Sequence, residues 1–329
     1  MVNLKPIPYP GHLNLARIPT PIVPLNHVFT PLENYRVWMK RDDMTGVELS
    51  GNKIRKLDFL IRDAMDKQAT HLITCGGLHS NHCRATAFAG IRQGLHVVLF
   101  LRGEKPDVYH GNYFLNHLAG VTIEYINAEQ YKEVDVLMSD YAGSHKGNYY
   151  IIPEGGSNEI GAWGYVRCYS EIVRQVDEMN LKIDTIVVAT GSGGTHAGLL
   201  LGKYLTGGAI DVVSVNVCDS AAFFKEKVSA VMENFASRYN IPLSRAAGDI
   251  NIIDGYVGDG YGIISNREVS VIETCAKTEG IILDPVYGAK AFAGMTDHLY
   301  NGKLPGRDIL FIHTGGIFGI FPYWEKFSD

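Results

Sequence analysis

The sequence predicts a two-lobed α/β protein, a three-layer α/β/α arrangement built on mostly parallel sheets. Short β-branched runs alternate along the chain with longer segments of helical period, which calls for crossover connections and hence parallel pairing. Hydrophobic residues make up 46% of the 329 and charged residues 20%, the balance of a globular protein with a sizeable core rather than a disordered or fibrous one. No internal repeat appears and no long polar linker separates independent units, so two lobes in close contact are expected.

In chain order, the first strand is expected at 36–40. A helix at 52–67 follows, with Ile54, Leu57, Leu60 and Ile61 as its apolar residues. Strand 71–75, helix 81–93, strand 96–101, helix 113–118 and strands 121–126 and 149–152 come next, and residues 50–159 form a smaller lobe of four strands. A long helix at 160–179 opens the remainder. Strand 185–189, helix 195–205, strands 212–217 and 249–254, helices 267–278 and 287–300 and strand 308–313 then form, with residues 1–49, the larger lobe. Gly-Gly pairs at 155–156 and 207–208 mark turns.

Thirty Lys and Arg against 35 Asp and Glu leave a net charge of −5, which offers no basic field to nucleic acid or an anionic membrane. A small molecule is the expected partner. The longest apolar runs, such as 186–189, fall far short of the roughly 20 residues that span a bilayer. The first ten residues lack the basic flank and apolar run of a secretory signal. The five cysteines, Cys75, Cys83, Cys168, Cys218 and Cys275, form no Cys-x-x-Cys pair, as expected of unpaired thiols in a reducing, cytoplasmic setting.

Ligands of parallel sheets sit at the carboxyl ends of strands, and three helix-opening loops carry candidate chemistry. Ser50-Gly51-Asn52-Lys53-Ile54-Arg55-Lys56 places two lysines on one helix face. If Lys53 and Lys56 both point into a pocket, each disfavours the other's charge and brings one nearer the neutral amine that attacks a carbonyl. A solvated basic face is the plain alternative. The second loop, Gly191-Ser192-Gly193-Gly194-Thr195-His196, follows a buried apolar run and opens a helix. Its crowded N–H groups and the helix dipole suit a single phosphate, although a tight turn would need the same glycines. No Gly-Lys-Ser/Thr closes it as in a P-loop, and His196 stands where a dinucleotide fingerprint needs its third glycine. The third, Cys75-Gly76-Gly77-Leu78-His79-Ser80-Asn81-His82, offers a hydroxyl, an amide and an imidazole, while Ser80 and Asn81 are also ordinary helix caps. Cys75, His79, His82 and Cys83 have donors suited to zinc, but their spacing matches no standard finger and no metal is expected. An imine-forming lysine, a one-phosphate cradle and a polar helix start are together the parts that hold pyridoxal 5'-phosphate.

The sequence resembles the fold-type II pyridoxal-phosphate enzymes, of tryptophan synthase β-like fold, and within them the group of D-cysteine desulfhydrase and 1-aminocyclopropane-1-carboxylate deaminase. Matching stretches run nearly end to end: Lys40-Arg41-Asp42-Asp43, residues 51–57, Ser80-Asn81-His82, Ile152-Pro153 with Gly155-Gly156-Ser157, and residues 161–166. Further on come residues 191–195, Gly260-Tyr261-Gly262, Leu283-Asp284-Pro285-Val286-Tyr287 and His313-Thr314-Gly315-Gly316. The resemblance implies that Lys53 forms the imine with the cofactor and shuttles the proton at the substrate Cα. It also implies that Gly191, Ser192, Gly193, Gly194 and Thr195 hold the phosphate with help from Lys56, and that Asn81 bonds the phenolic oxygen. Ser80 and His82 would face the substrate carboxylate or reacting carbon, and Tyr261 and Tyr287 would flank substrate and cofactor. A homodimer acting on a small amino acid is implied by the same likeness.

Two departures bear on activity. The deaminases carry Glu directly after the tyrosine of Asp-Pro-Val-Tyr and Leu where this chain has Thr314; here Gly288 follows Tyr287. The resemblance then makes Thr314 the partner of the pyridine nitrogen, and a neutral hydroxyl stabilises a pyridinium less than a carboxylate does. A weaker electron sink suffices for losing a good leaving group from Cβ, whereas opening an unactivated cyclopropane asks for more. The reading is therefore α,β-elimination on D-cysteine. Gly288-Ala289 and the bulky Trp163 depart from the usual pattern and leave the deaminase and a cysteate sulfo-lyase as rivals within the same chemistry. Outside it stand a non-catalytic pyridoxal-phosphate carrier and an NAD-dependent dehydrogenase, the latter supported by Gly191-x-Gly193 and Asp219 but short of its third glycine.

Overall fold

A computed structural model describes residues 6–29, 35–243 and 250–328. The first residue of the strand expected at 249–254 lies outside them. In chain order the elements are β1 (Ile22–Pro24), β2 (Arg36–Arg41), α1 (Lys53–Asp66), β3 (His71–Gly77), α2 (Asn81–Arg92), β4 (His96–Arg102), α3 (Gly111–Leu118) and β5 (Thr122–Ile126). Then follow α4 (Ala128–Tyr131), α5 (Val134–Ser144), β6 (Tyr149–Ile151), α6 (Trp163–Glu178), β7 (Thr185–Thr190), α7 (Gly194–Thr206) and β8 (Asp211–Asn216). The last are α8 (Ala221–Tyr239), β9 (Asn251–Ile253), α9 (Asn266–Glu279), α10 (Gly288–Tyr300) and β10 (Asp308–His313).

These strands form a six-stranded sheet in the order β1-β2-β10-β7-β8-β9 and a four-stranded sheet in the order β5-β4-β3-β6. Every pairing is parallel except β1 with β2. In the larger sheet β7 and β10 are buried along their whole length, so their near-continuous apolar runs are what a strand covered on both faces requires. Beyond the expected elements stand β1, α4, α5 and α8. Strand β1 lies between Pro21 and Pro24 at the sheet edge, where a missing N–H costs no ladder bond. Helix α8 buries Phe224, Val228, Val231, Met232 and Phe235, a helical spacing hidden among Lys225, Glu226 and Lys227.

One apolar core runs from the small sheet, through Leu72 and Leu99, to the large one at Ile186 and Leu310, with α1, α6 and α7 between. Helix α6 lies directly on the backbone of α1: a Cβ at Gly164 would come within 2.4 Å of the Arg55 carbonyl oxygen. Below this contact sits a buried charge cluster. Arg55 donates to both oxygens of Asp42 at 2.8 and 2.9 Å and to both oxygens of Glu171 at 2.9 and 3.0 Å. Lys40 pairs with Glu171 as well, and Tyr165 donates to Asp42 at 2.6 Å. Two cations and two carboxylates balance, and this cluster ties β2 and α6 to the start of α1. Among the described residues no helix is long and apolar enough to cross a membrane.

Candidate active site

A cavity opens at the carboxyl ends of β7 and β10, between the two sheets, where the starts of α1, α2, α7 and α10 converge. Its walls are Asn52 and Lys53 from α1, Asn81 from α2, residues 189–193 and Thr195 from the β7–α7 turn, Tyr287, and Thr314 after β10. Of the residues singled out from the sequence, Lys53, Asn81, Gly191, Ser192, Gly193, Thr195, Tyr287 and Thr314 thus share one space. Gly194 adjoins it as the first residue of α7.

The start of α1 is held from several sides. The Asn52 N–H donates to the Thr314 carbonyl at 2.9 Å, and Thr45 Oγ1 bonds both the N–H and the carbonyl of Gly51. Lys53 therefore leaves a fixed backbone. Its Nζ makes no hydrogen bond to any described residue, and a Cβ at Gly155 would lie 3.2 Å from it. Burial lowers the Lys53 pKa to about 8, against the opposing pull of Glu154 and Asp284. Lys56 is pushed well below its usual value, first by burial and then by Lys53. Of the repulsion expected between the two lysines, the effect of Lys53 on Lys56 is present and is smaller than that of burial, whereas Lys53 itself is lowered by burial.

Lys56 does not reach the cavity directly. It donates to the Gly155 carbonyl and to Ser157 Oγ, both at 3.1 Å, and Ser157 bonds Ser192 Oγ at 2.8 Å. Asn52 Nδ2 donates to Thr195 Oγ1 at 3.2 Å. Two loops far apart in sequence thereby brace the glycine turn. Gly193 takes φ +81°, open chiefly to glycine, so that α7 can begin at Gly194. The first N–H groups of α7 have no acceptor within the helix, and Thr190 Oγ1 is buried without a partner among the described residues. His196 points away, into the core, on Ser214 at 2.9 Å.

Ser80 caps α2, accepting from the Cys83 N–H at 3.2 Å. His82 is buried on Thr74 Oγ1 at 2.9 Å, and burial together with the two lysines holds it neutral. Neither lines the cavity with Lys53. Tyr261 reaches it through Tyr287, hydroxyl to hydroxyl at 2.7 Å, and burial pushes both phenols up. Beyond Tyr261 the Arg102 guanidinium lies 5.4 Å from the centre of its ring and 4.8 Å from that of Tyr131, and Tyr131 donates to Glu154 at 2.6 Å. Asp284 is buried with its pKa raised to about 6, and its oxygens accept from the N–H groups of Gly288, Tyr287 and Val286.

Asn52, Ser157 and Thr190 were not singled out from the sequence. Asn52 adjoins Lys53, Thr190 adjoins Gly191 and Ser157 closes the quoted stretch Gly155-Gly156-Ser157, so proximity to the motifs is the available signal; the contacts of Ser157 with Lys56 and Ser192 come from the structure.

Residues 13–315 match the family described as pyridoxal-phosphate dependent enzyme. A Thermotoga maritima protein whose name refers to 1-aminocyclopropane-1-carboxylate deaminase is 42% identical over 94% of this chain and 97% of its own. The mitochondrial bifunctional D-cysteine desulfhydrase/1-aminocyclopropane-1-carboxylate deaminase of Arabidopsis thaliana is 38% identical over 98% of this chain and 82% of its own. The crystal structure of an ACC deaminase homologue superposes with a TM-score of 0.89 at 37% identity, covering 96% of this chain and 95% of that one.

Proposed function

We propose, from the premise that this chain belongs to the family of pyridoxal-phosphate-dependent enzymes, that it is a lyase converting D-cysteine and water to sulfide, pyruvate and ammonia. The observation that carries the reading is Lys53: an amine with no hydrogen-bond partner among the described residues, brought to a pKa of about 8, beside a glycine turn at a helix start. The cavity fits the cofactor. A Cβ at Gly191 would meet the Tyr287 ring at 2.7 Å and one at Gly155 would meet Ser192 Oγ at 2.5 Å, so larger side chains would close the space that the glycines leave.

Bound pyridoxal phosphate supplies a conjugated ring that takes up the electron pair left when the substrate Cα–H bond breaks. In this reading Lys53 holds its aldehyde carbon, residues 191–195 its phosphate, Asn81 a ring oxygen and Thr314 the pyridine nitrogen. Lys56 acts on the phosphate turn through Ser157. The Lys53 amine would take the proton from the substrate Cα. At pH 7 a pKa of about 8 leaves about 10% of the amine neutral, against about 0.03% for an ordinary lysine. Tyr261 and Tyr287 remain protonated and donate to the departing sulfur. Ser80, next to Asn81 in sequence, would meet the substrate carboxylate, with His82 buried on Thr74 and outside the cavity lining.

Elimination is favoured over ring opening by the partners available to the ring. Thr314 lines the cavity, and its side chain is a neutral hydroxyl. Gly288, buried at the start of α10, has no side chain with which to bring a carboxylate to the ring. The bifunctional Arabidopsis relative supports a second reading, in which both activities share the site. The test is kcat/KM for D-cysteine, L-cysteine, cysteate and 1-aminocyclopropane-1-carboxylate, with sulfide and keto acid measured together. Equimolar sulfide and pyruvate from D-cysteine, at least about a hundredfold faster than keto acid from the cyclopropane acid, is expected. The reverse order overturns the desulfhydrase reading, and comparable rates establish the dual one.

A further inference from the structure

Asn81 opens α2 and lines the cavity beside Lys53. Its amide can present to that space either an oxygen, which only accepts, or an NH2 group, which only donates. The two ends are told apart by their hydrogen-bond partners, and the deciding partners lie farther from the cavity. Arg84, on the same helix, is fully buried and has no carboxylate partner among the described residues. It donates through Nη1 and Nη2 to the carbonyls of Glu48 and Ser50, in the loop leading to Lys53, and through Nε to Asn112 Oδ1 at 3.0 Å. A guanidinium has no acceptor, so this contact fixes the oxygen end of Asn112.

The nitrogen end is fixed independently. Asn112 Nδ2 donates to the His79 carbonyl oxygen at 2.8 Å, an atom that can only accept, and to Asn81 Oδ1 at 2.7 Å. Asn112 is itself fully buried at the start of α3. Asn81 must therefore turn its oxygen to Asn112 and its NH2 group the other way. That NH2 group has no acceptor among the described residues; its nitrogen lies 2.8 Å from where a Cβ at Gly316 would be, in the turn after Thr314.

We propose that Arg84 and Asn112 are positioning residues: they lock the Asn81 amide with its NH2 group facing the cavity, as the donor to a ring oxygen of pyridoxal phosphate. The inference rests on the reading above that Asn81 faces the cofactor, and it adds the reason why Asn81 can only donate there. The same guanidinium holds the loop that carries Lys53 to the cavity, so one buried cation sets both the covalent and the hydrogen-bonding contact.

Asn112→Asp tests this, because it keeps the shape and removes the N–H. Facing the His79 carbonyl and Asn81 Oδ1 with an acceptor, it drives Asn81 to present its oxygen to an oxygen. Affinity for pyridoxal phosphate by equilibrium dialysis, the visible band of the holoenzyme with its pH midpoint, and thermal unfolding of the cofactor-free protein are measured for Asn112→Asp, Asn81→Ala and the double variant. Each single change should loosen the cofactor about tenfold. The double variant should bind no worse than Asn81→Ala, and both single variants should move the band and its midpoint in the same direction. Wild-type affinity in Asn112→Asp, or losses that multiply in the double variant, overturns the relay while leaving Asn81 in place. Unchanged affinity and band in Asn81→Ala overturn the role of Asn81 and the relay with it. Should Asn112→Asp not fold, Arg84→Lys gives the same decision: it keeps the charge but cannot reach Asn112 and both carbonyls at once. It should loosen the cofactor about threefold, and by a smaller factor on the Asn81→Ala background, where only its hold on the loop before Lys53 is left to lose; an equal factor on both backgrounds overturns the relay.

Discussion

Helix α1 carries buried cations on two sides, and they are treated in opposite ways. Arg55 meets Asp42 and Glu171 with four hydrogen bonds, and Lys40 completes a neutral cluster. Lys53 and Lys56, three residues apart on the other face, have no carboxylate within ion-pair distance among the described residues, and burial depresses both. The same helix thus holds a guanidinium stabilised as a cation and an amine whose charged form burial disfavours. The difference teaches where to look for chemistry: a buried charge that is fully paired anchors structure, whereas a buried base left unpaired is poised to react.

Replacing the poised side should separate activity from stability most sharply. Lys53→Met should lower turnover of D-cysteine by about 10⁴ or more, since both the covalent anchor and the Cα base are removed. The cofactor-free variant should be more stable than wild type by roughly 1 kcal/mol in urea unfolding, because an uncompensated buried amine is replaced by an apolar chain of similar length. A Lys53→Met protein that turns over normally, or is less stable without cofactor, would place Lys53 with Arg55 as a structural residue.

The paired side should respond in the opposite sense. Arg55→Met leaves Asp42 and Glu171 buried without their partner, and a loss of about 3–5 kcal/mol is expected in the same unfolding measurement. The pH dependence has a defined sign. The Glu171 carboxyl lies at about 2 in the folded protein against an ordinary 4.5, held down by Arg55 and Lys40 against its own burial. A depressed folded pKa gives stability that is complete above the unfolded value and is lost as pH falls from about 4.5 through about 2. In Arg55→Met this acid-labile component should shrink. Stability of wild type that is flat across the window would show the cluster to be balanced by another group.

What was legible in the sequence follows the same division. β7 and β10 announce themselves as apolar runs because burial on both faces forces every position, and the glycine turn after β7 is visible because phosphate chemistry and a strand-to-helix turn both demand it. Lys53 is visible because its helix start is local. β1 is three residues framed by prolines, and α5 buries only Val134 and Met138, so neither has a period to detect. In α8 the period exists, but Phe and Val are indifferent helix formers set among charges. Ser157 on Ser192, Tyr261 on Tyr287, and Asn112 between Arg84 and Asn81 are contacts across 26 to 35 residues of chain, made by the crossovers that bring strand ends together. No spacing rule in one sequence encodes them. The tyrosines entered through family resemblance alone.

The smallest expected effect sharpens the comparison by asking how far the poised side can be tuned. Glu154 is the largest of the influences that raise the Lys53 pKa, ahead of Asp284. Its carboxylate is exposed, however, and hydrogen-bonded to Tyr131, so water and salt screen it. Asp284, by contrast, is committed to the N–H groups that open α10. Glu154→Gln should therefore lower the Lys53 midpoint, about 8 in the cofactor-free protein, by roughly 0.2–0.7 pH unit. Modification of Lys53 by an amine-directed reagent as a function of pH reads this directly. High salt should move the wild-type midpoint part of the way in the same direction and leave the variant unmoved. The Arg55 cluster, closed to solvent, should show no such dependence. A midpoint that stays put in Glu154→Gln would mean that burial alone sets the amine, and that this side of the helix is as fixed as the other.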